Sequence, residues 1–170
     1  YMIRMGTTLF GETPFGVRLF PVLGFAASGY LVGNITRQMS ENDTHLPALA
    51  TALFNLSLLV FALGSFATPD APSTLFWIAT VWAAIRAINT PLGTRSASFW
   101  WIFTGLLIGL GGLSKFTNAF LAFGLLAFLI ATPKARRFLT THLPVLTLTA
   151  AILPLLPYVI WNLQNDWLGL

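Results

Sequence analysis

Cysteine is absent from the 170 residues, and charge is nearly so, with Asp, Glu, Lys and Arg together making up 8%. The first absence excludes disulfides and thiolate metal sites. The second excludes an ordinary soluble domain, in which about a quarter of residues are charged. No stretch alternates with period two, which argues against a β-barrel. No basic run interleaves with aromatics, which argues against a nucleic-acid partner. What remains is apolar: 56% of residues are hydrophobic and 14% aromatic. A core of this size has no use for so much apolar surface, so the chain reads as a membrane protein. Its net charge of +4 comes from scattered residues and a scarcity of acids. That charge is informative through its distribution over loops.

A hydrocarbon core ~30 Å thick needs roughly 20 apolar helical residues. Six segments approach that length: 17–36, 46–67, 74–89, 99–113, 116–132 and 143–163. The expected fold is therefore all-α, a polytopic membrane bundle of about six transmembrane helices over residues 17–170. Residues 1–16 are semi-apolar and are expected to form a short surface-lying juxtamembrane segment. The third, fourth and fifth spans are short. They need flanking residues, or Arg86 and Lys115 snorkelling to an interface. Gly29 and Gly33, and Gly105 and Gly109, are each four apart, a spacing that lets helix backbones approach closely.

Six spans divide the loops into two sets. One holds Arg37, Arg86, Arg95, Lys134, Arg136 and Arg137, and the other Arg4, Arg18 and Lys115. The positive-inside rule assigns the richer set to the cytoplasm. Glu12, Asp70 and Asp166 then share the outer face with the poorer set. Trp100 and Trp101 are expected in an inner aromatic belt, Trp161 and Trp167 in an outer one.

The polar residues on the outer set each admit two readings. Asp70 stands between two prolines in TPDAP. It is expected to cap the next helix, with Pro72 in the first turn, a cap being worth ~1 kcal/mol. A capping carboxylate also keeps one oxygen for a metal, a sugar hydroxyl or a cation. Lys115, between two apolar spans, either snorkels or meets an anionic group such as a lipid phosphate. Arg18, at the mouth of the first span, either anchors headgroups or pairs with phosphate in two-pronged geometry. Trp161, Asn162, Asn165, Asp166 and Trp167 close the last span as an interfacial belt and polar turn, or as part of a substrate site. His45 and His142 stand apart without carboxylates, so no metal site is expected from them.

Four stretches carry a family resemblance: LFGETPFGVRLFPVL, TPDAP, GLGGLSKFT and PYVIWNLQNDW. In this order they resemble the bacterial multi-pass glycosyltransferases of the C superfamily, related to the dolichyl-phosphate-mannose protein mannosyltransferases and the aminoarabinose transferases. The resemblance covers nearly the whole chain. It implies an inverting enzyme of the inner (plasma) membrane that takes a sugar from a polyprenyl-phosphate donor. The acceptor would be a lipid or glycan on the outer face, with membrane lipids as further partners. Asp70 would be an accessory catalytic acid, and Lys115, Arg18, Asn162 and Asp166 would bind substrate. The resemblance leaves the cofactor unknown, with room for a divalent cation.

The chain opens at Tyr1 without a methionine and is expected to be a fragment, residues 1–170, of a larger transferase. The family's leading acidic pair is expected upstream of Tyr1, which would leave the fragment inactive by itself. The alternative is a multi-pass transporter or permease fragment, which would use charges in span centres and internal repeats. Here the polar residues sit at span ends and no repeat is evident. A scaffold whose polar residues are all caps and anchors is the third reading.

Overall fold

Thr13 and Pro14 show how the helices start. The Gly16 N–H donates to the Thr13 hydroxyl at 3.1 Å, and Pro14 occupies the first helical position. Thr94 does the same further along, accepting from the Ala97 N–H at 3.1 Å. Such caps satisfy backbone donors that a helix cannot pair internally. The computed structural model describes residues 2–40, 45–57 and 68–167, and among these there is no strand. The helices are α1 (Met2–Phe10), α2 (Pro14–Met39), α3 (Leu46–Leu56), α4 (Asp70–Asn89), α5 (Arg95–Ser114), α6 (Ala119–Ala131), α7 (Pro133–Arg136), α8 (Leu143–Ile152) and α9 (Leu156–Gln164). Short 3₁₀ turns precede α6, follow α7 and join α8 to α9. The protein is all-α, as its composition implies.

Among the described residues, four segments are long and apolar enough to cross a membrane: Pro14–Met39, Asp70–Asn89, Arg95–Ser114 and Leu143–Gln164. A fifth exists if Phe116–Ala131 and Pro133–Thr140, bent by 101°, count as one. Six were expected. The second expected span is described only through its first half, where α3 is an 11-residue helix; residues 58–67 lie outside the described residues. The bend has a local cause. Thr132 is extended before Pro133, as a residue preceding proline prefers, and the new helix starts at the proline. Pro154 likewise falls in the 3₁₀ turn that interrupts the last span.

The chain forms two compact units, residues 1–82 and 83–170. In the first, α2 and α3 are antiparallel. A side chain at Gly29 would strike the Asn55 amide, and one at Gly33 the Thr51 hydroxyl. That hydroxyl lies 2.9 Å from the Pro47 carbonyl and 3.2 Å from the Gly29 carbonyl, so it bridges the two helices. The four-residue glycine spacing is thus a packing device here. The segment expected to lie on the surface forms α1 and doubles back along α2. Gly6 abuts Gly16, and the Met2 side chain reaches Gly24.

In the second unit, Gly105 faces Thr147 and Ala150, Gly109 faces Ala151 and Pro154, and Gly112 faces Leu155. Both helices advance together, so α5 and α8 are parallel. A core of Ala87, Ala97, Trp101, Leu129, Ala135, Phe138 and Leu143 closes the end where α5 begins. Trp101 is 1% exposed and stacks on Phe138 with ring centroids 3.7 Å apart. The expected inner belt is therefore corrected for Trp101. It lies four residues after buried Ala97, on the packed face of the helix, and serves the core. Trp100 stays half-buried, with the Arg86 guanidinium 5.4 Å from its ring centroid.

Candidate functional site

Within the second unit the polar residues sort by end. Arg86 and Arg95 border the core cluster, and Lys134, Arg136 and Arg137 follow directly after α6. Arg136 is tied there by its Nε, which donates to the Ile130 carbonyl at 2.8 Å. Lys115 stands at the other end of α5. The rise from Trp101 to Lys115 is about 20 Å at ~1.5 Å per residue. Within this unit, the five cations from the richer loop set and Lys115 from the poorer set lie at opposite ends.

Lys115 terminates α5 with its backbone extended, φ −160° and ψ 129°. Its N–H donates to the Gly111 carbonyl at 3.0 Å, and its own carbonyl accepts from the Asn118 N–H at 3.0 Å and the Asn118 Nδ2 at 3.3 Å. The side chain is exposed. A cation here also complements the negative end of the helix dipole, by ~0.3–1 kcal/mol. The next residue, Phe116, meets Tyr158 of α9 edge-on at 6.1 Å between ring centroids. The Lys115 turn and the start of α9 therefore share one end of the unit.

Asn162, on α9, is fully buried. Its Nδ2 donates to the Tyr158 carbonyl at 2.9 Å, and its carbonyl accepts from the N–H groups of Asn165 at 3.2 Å and Trp167 at 3.0 Å. That carbonyl gathers a turn in which Asp166 and Trp167 have φ of 49° and 59°. The left-handed region costs a side-chain-bearing residue roughly 1–2 kcal/mol. Asp166 and Trp167 are exposed at this turn, as is Trp161 on α9.

Arg18 and Asp70 belong to the first unit. Arg18 is exposed in the second turn of α2. Asp70 is half-buried and is not the cap that the sequence led us to expect. The Ser73 N–H donates to the Pro69 carbonyl at 3.2 Å, so Pro69 holds the cap position and Asp70 is the first helical residue. Pro69 takes that place because a cap residue needs only its carbonyl. Asp70 then acts on the positive end of the helix dipole. Pro72 lies in the first turn, as expected.

A groove of about 610 Å³ also opens in the first unit, lined by Tyr30, Asn34, Arg37, Thr51 and Asn55 among others. It follows α2 toward Arg37, away from Arg18, and includes none of the expected site residues. Among the described residues no group of three or more His, Asp or Glu is placed to hold a metal ion. The donor set for a divalent cation is not assembled there.

Asn118 is the residue that sequence reasoning passed over. It is 3% exposed and contacts the Lys115 carbonyl. The available signal was a lone amide three residues after the lysine in SKFTN.

Comparison with known proteins gives a consistent set of relatives. Residues 1–161 match the model of a family described as dolichyl-phosphate-mannose-protein mannosyltransferase. The chain is similar to undecaprenyl phosphate-alpha-4-amino-4-deoxy-L-arabinose arabinosyl transferase 1 of Pseudomonas fluorescens, 35% identical over 79% of this chain and 24% of the relative. It is 34% identical to the corresponding transferase of Pseudomonas aeruginosa over 78% of this chain and 23% of that one. For Pectobacterium atrosepticum the identity is 30% over 68% of this chain and 20% of the relative. The chain thus spans about a quarter of the length of the curated relatives it matches. No solved structure matches it.

Proposed function

Because the chain belongs to the dolichyl-phosphate-mannose-protein mannosyltransferase family, we propose that it is the membrane-embedded part of an inverting glycosyltransferase. The donor is a sugar on a polyprenyl phosphate. The acceptor is a lipid or glycan hydroxyl at the outer face of the bacterial inner membrane. The relatives' names make undecaprenyl phosphate-linked 4-amino-4-deoxy-L-arabinose the first donor to test.

The chemistry sets the requirements. An acceptor oxygen attacks the anomeric carbon, the bond from that carbon to the phosphate oxygen breaks, and a base takes the acceptor proton. Negative charge grows on the departing carrier phosphate and needs a fixed positive partner. Lys115 meets that need. The observation that carries the proposal is its position: an exposed ammonium at a break between two apolar helices, beside the start of α9. Arg18, in the first unit, is a further candidate for substrate binding, since its planar fork suits phosphate oxygens. Asp166 binds donor or acceptor hydroxyls, and buried Asn162 contributes by holding the turn that carries it. Asp70 is an accessory acid, and its carboxylate would orient or deprotonate an acceptor hydroxyl.

The test is transfer by the intact enzyme. Lys115→Ala should lower turnover roughly 10²–10³-fold, the range for losing one preorganised electrostatic partner. Lys115→Arg should retain part of the activity. Unchanged transfer in Lys115→Ala would remove the lysine from the site.

A further inference from the structure

Resting on the reading of Lys115 given above, we infer that Asn118 is the positioning residue for that lysine. Asn118 is 3% exposed, although Phe116, Thr117 and Ala119 around it are all exposed. A buried amide is unfavourable unless it is hydrogen-bonded, and an apolar side chain would fill the space without that penalty. The amide therefore has a use beyond packing. Its Nδ2 and its backbone N–H both donate to one acceptor, the Lys115 carbonyl, at 3.3 Å and 3.0 Å.

The contact is closed on its other side. Lys115 donates its own N–H to the Gly111 carbonyl, and the Asn118 carboxamide lies on Gly111. A Cβ at Gly111 would stand 3.2 Å from Asn118 Cγ and Oδ1, closer than side chains usually pack. Gly111, Lys115 and Asn118 form a small ring of contacts around an extended residue between two helical segments. An extended residue at a helix end has a carbonyl that the helix cannot satisfy. Asn118 satisfies it twice and so fixes the root of the lysine side chain. The backbone that carries the ammonium is then already ordered before a phosphate binds, and that lowers the cost of binding.

The experiment measures binding of undecaprenyl phosphate to the intact enzyme in detergent, alongside thermal unfolding, for Asn118→Ala, Lys115→Ala and the double variant. Asn118→Ala should weaken binding roughly three- to tenfold, the scale of the one side-chain hydrogen bond it removes, the backbone N–H bond being kept. In the double variant the Asn118 change should have no further effect, because it acts through the lysine. Equal weakening by Asn118→Ala in both backgrounds would overturn the inference and make the amide a general packing element. If Lys115→Ala weakens binding while Asn118→Ala binds like the parent, the inference fails and the reading of Lys115 stands. Unchanged binding in Lys115→Ala would sink that reading itself. Should Asn118→Ala fail to fold, Gly111→Ala takes its place, since its new methyl presses on the same amide. It should weaken binding in the parent and leave Lys115→Ala unaffected, and equal weakening in both would count against the inference.

Discussion

Two glycine-to-alanine changes in the second unit should have opposite signs. At Gly105 a Cβ would run into the Thr147 carbonyl oxygen and stand 3.0 Å from the Ala150 Cβ. Neither neighbour is the movable tip of a long side chain, so α5 and α8 must separate. Forcing an extra methyl into such a contact costs about 1–3 kcal/mol. Alanine's better helix propensity returns at most ~1 kcal/mol. The net expectation for Gly105→Ala is a loss of about 0–2 kcal/mol. Gly124, inside α6, has nothing within 4 Å of its would-be Cβ. There the propensity gain of up to ~1 kcal/mol stands alone. The assay is thermal unfolding of the detergent-solubilised protein, followed by tryptophan fluorescence, which the buried Trp101 makes sensitive to this unit. Gly105→Ala should unfold below the parent and Gly124→Ala at or above it. Equal shifts of the same sign would refute the claim that Gly105 is a contact between backbones. Because α5 and α8 together set the end that carries Lys115 and Tyr158, Gly105→Ala should also weaken transfer beyond its effect on stability.

Other substitutions separate folding from chemistry. Trp101→Ala removes a buried ring stacked on Phe138 and should cost about 3–5 kcal/mol, read as lost thermal stability or lost expression. Asp70→Asn leaves the cap at Pro69 intact. It should change stability by no more than ~0.3–1 kcal/mol through the helix dipole, while transfer falls at least tenfold if the carboxylate works on the acceptor. Equal and small changes in both would leave Asp70 as a helix-end charge alone. Thr94→Ala should cost ~1 kcal/mol by removing the cap of α5.

Much of the fold was legible because its signals are local. Apolar runs and four-residue glycine spacings are read within one turn or one span. Both glycine pairs lie at close helix–helix contacts, as the spacing predicts, Gly29 and Gly33 against α3 and Gly105 and Gly109 against α8 and the turn that follows it. What was not legible depends on tertiary partners or on single hydrogen bonds. Trp101 reads as a belt residue until Phe138 is seen beneath it. The semi-apolar composition of residues 1–16 gives no sign of the Gly6–Gly16 approach that folds α1 along α2. The cap at Pro69 rather than Asp70 turns on one bond, from Ser73. The candidate lysine stood out in the sequence, since an isolated charge between apolar spans is conspicuous. Its neighbour Asn118 was not, because a polar residue's burial cannot be read from its type.

The measurement that most directly tests the account is sidedness at the Lys115 turn. Thr117 is exposed beside it, and Arg137 is exposed at the other end of the same unit. A cysteine introduced as Thr117→Cys in the intact enzyme should react with a membrane-impermeant maleimide from outside whole cells, and one introduced as Arg137→Cys only after the membrane is opened. The reverse pattern would put Lys115 in the cytoplasm, out of reach of a sugar transfer on the outer face.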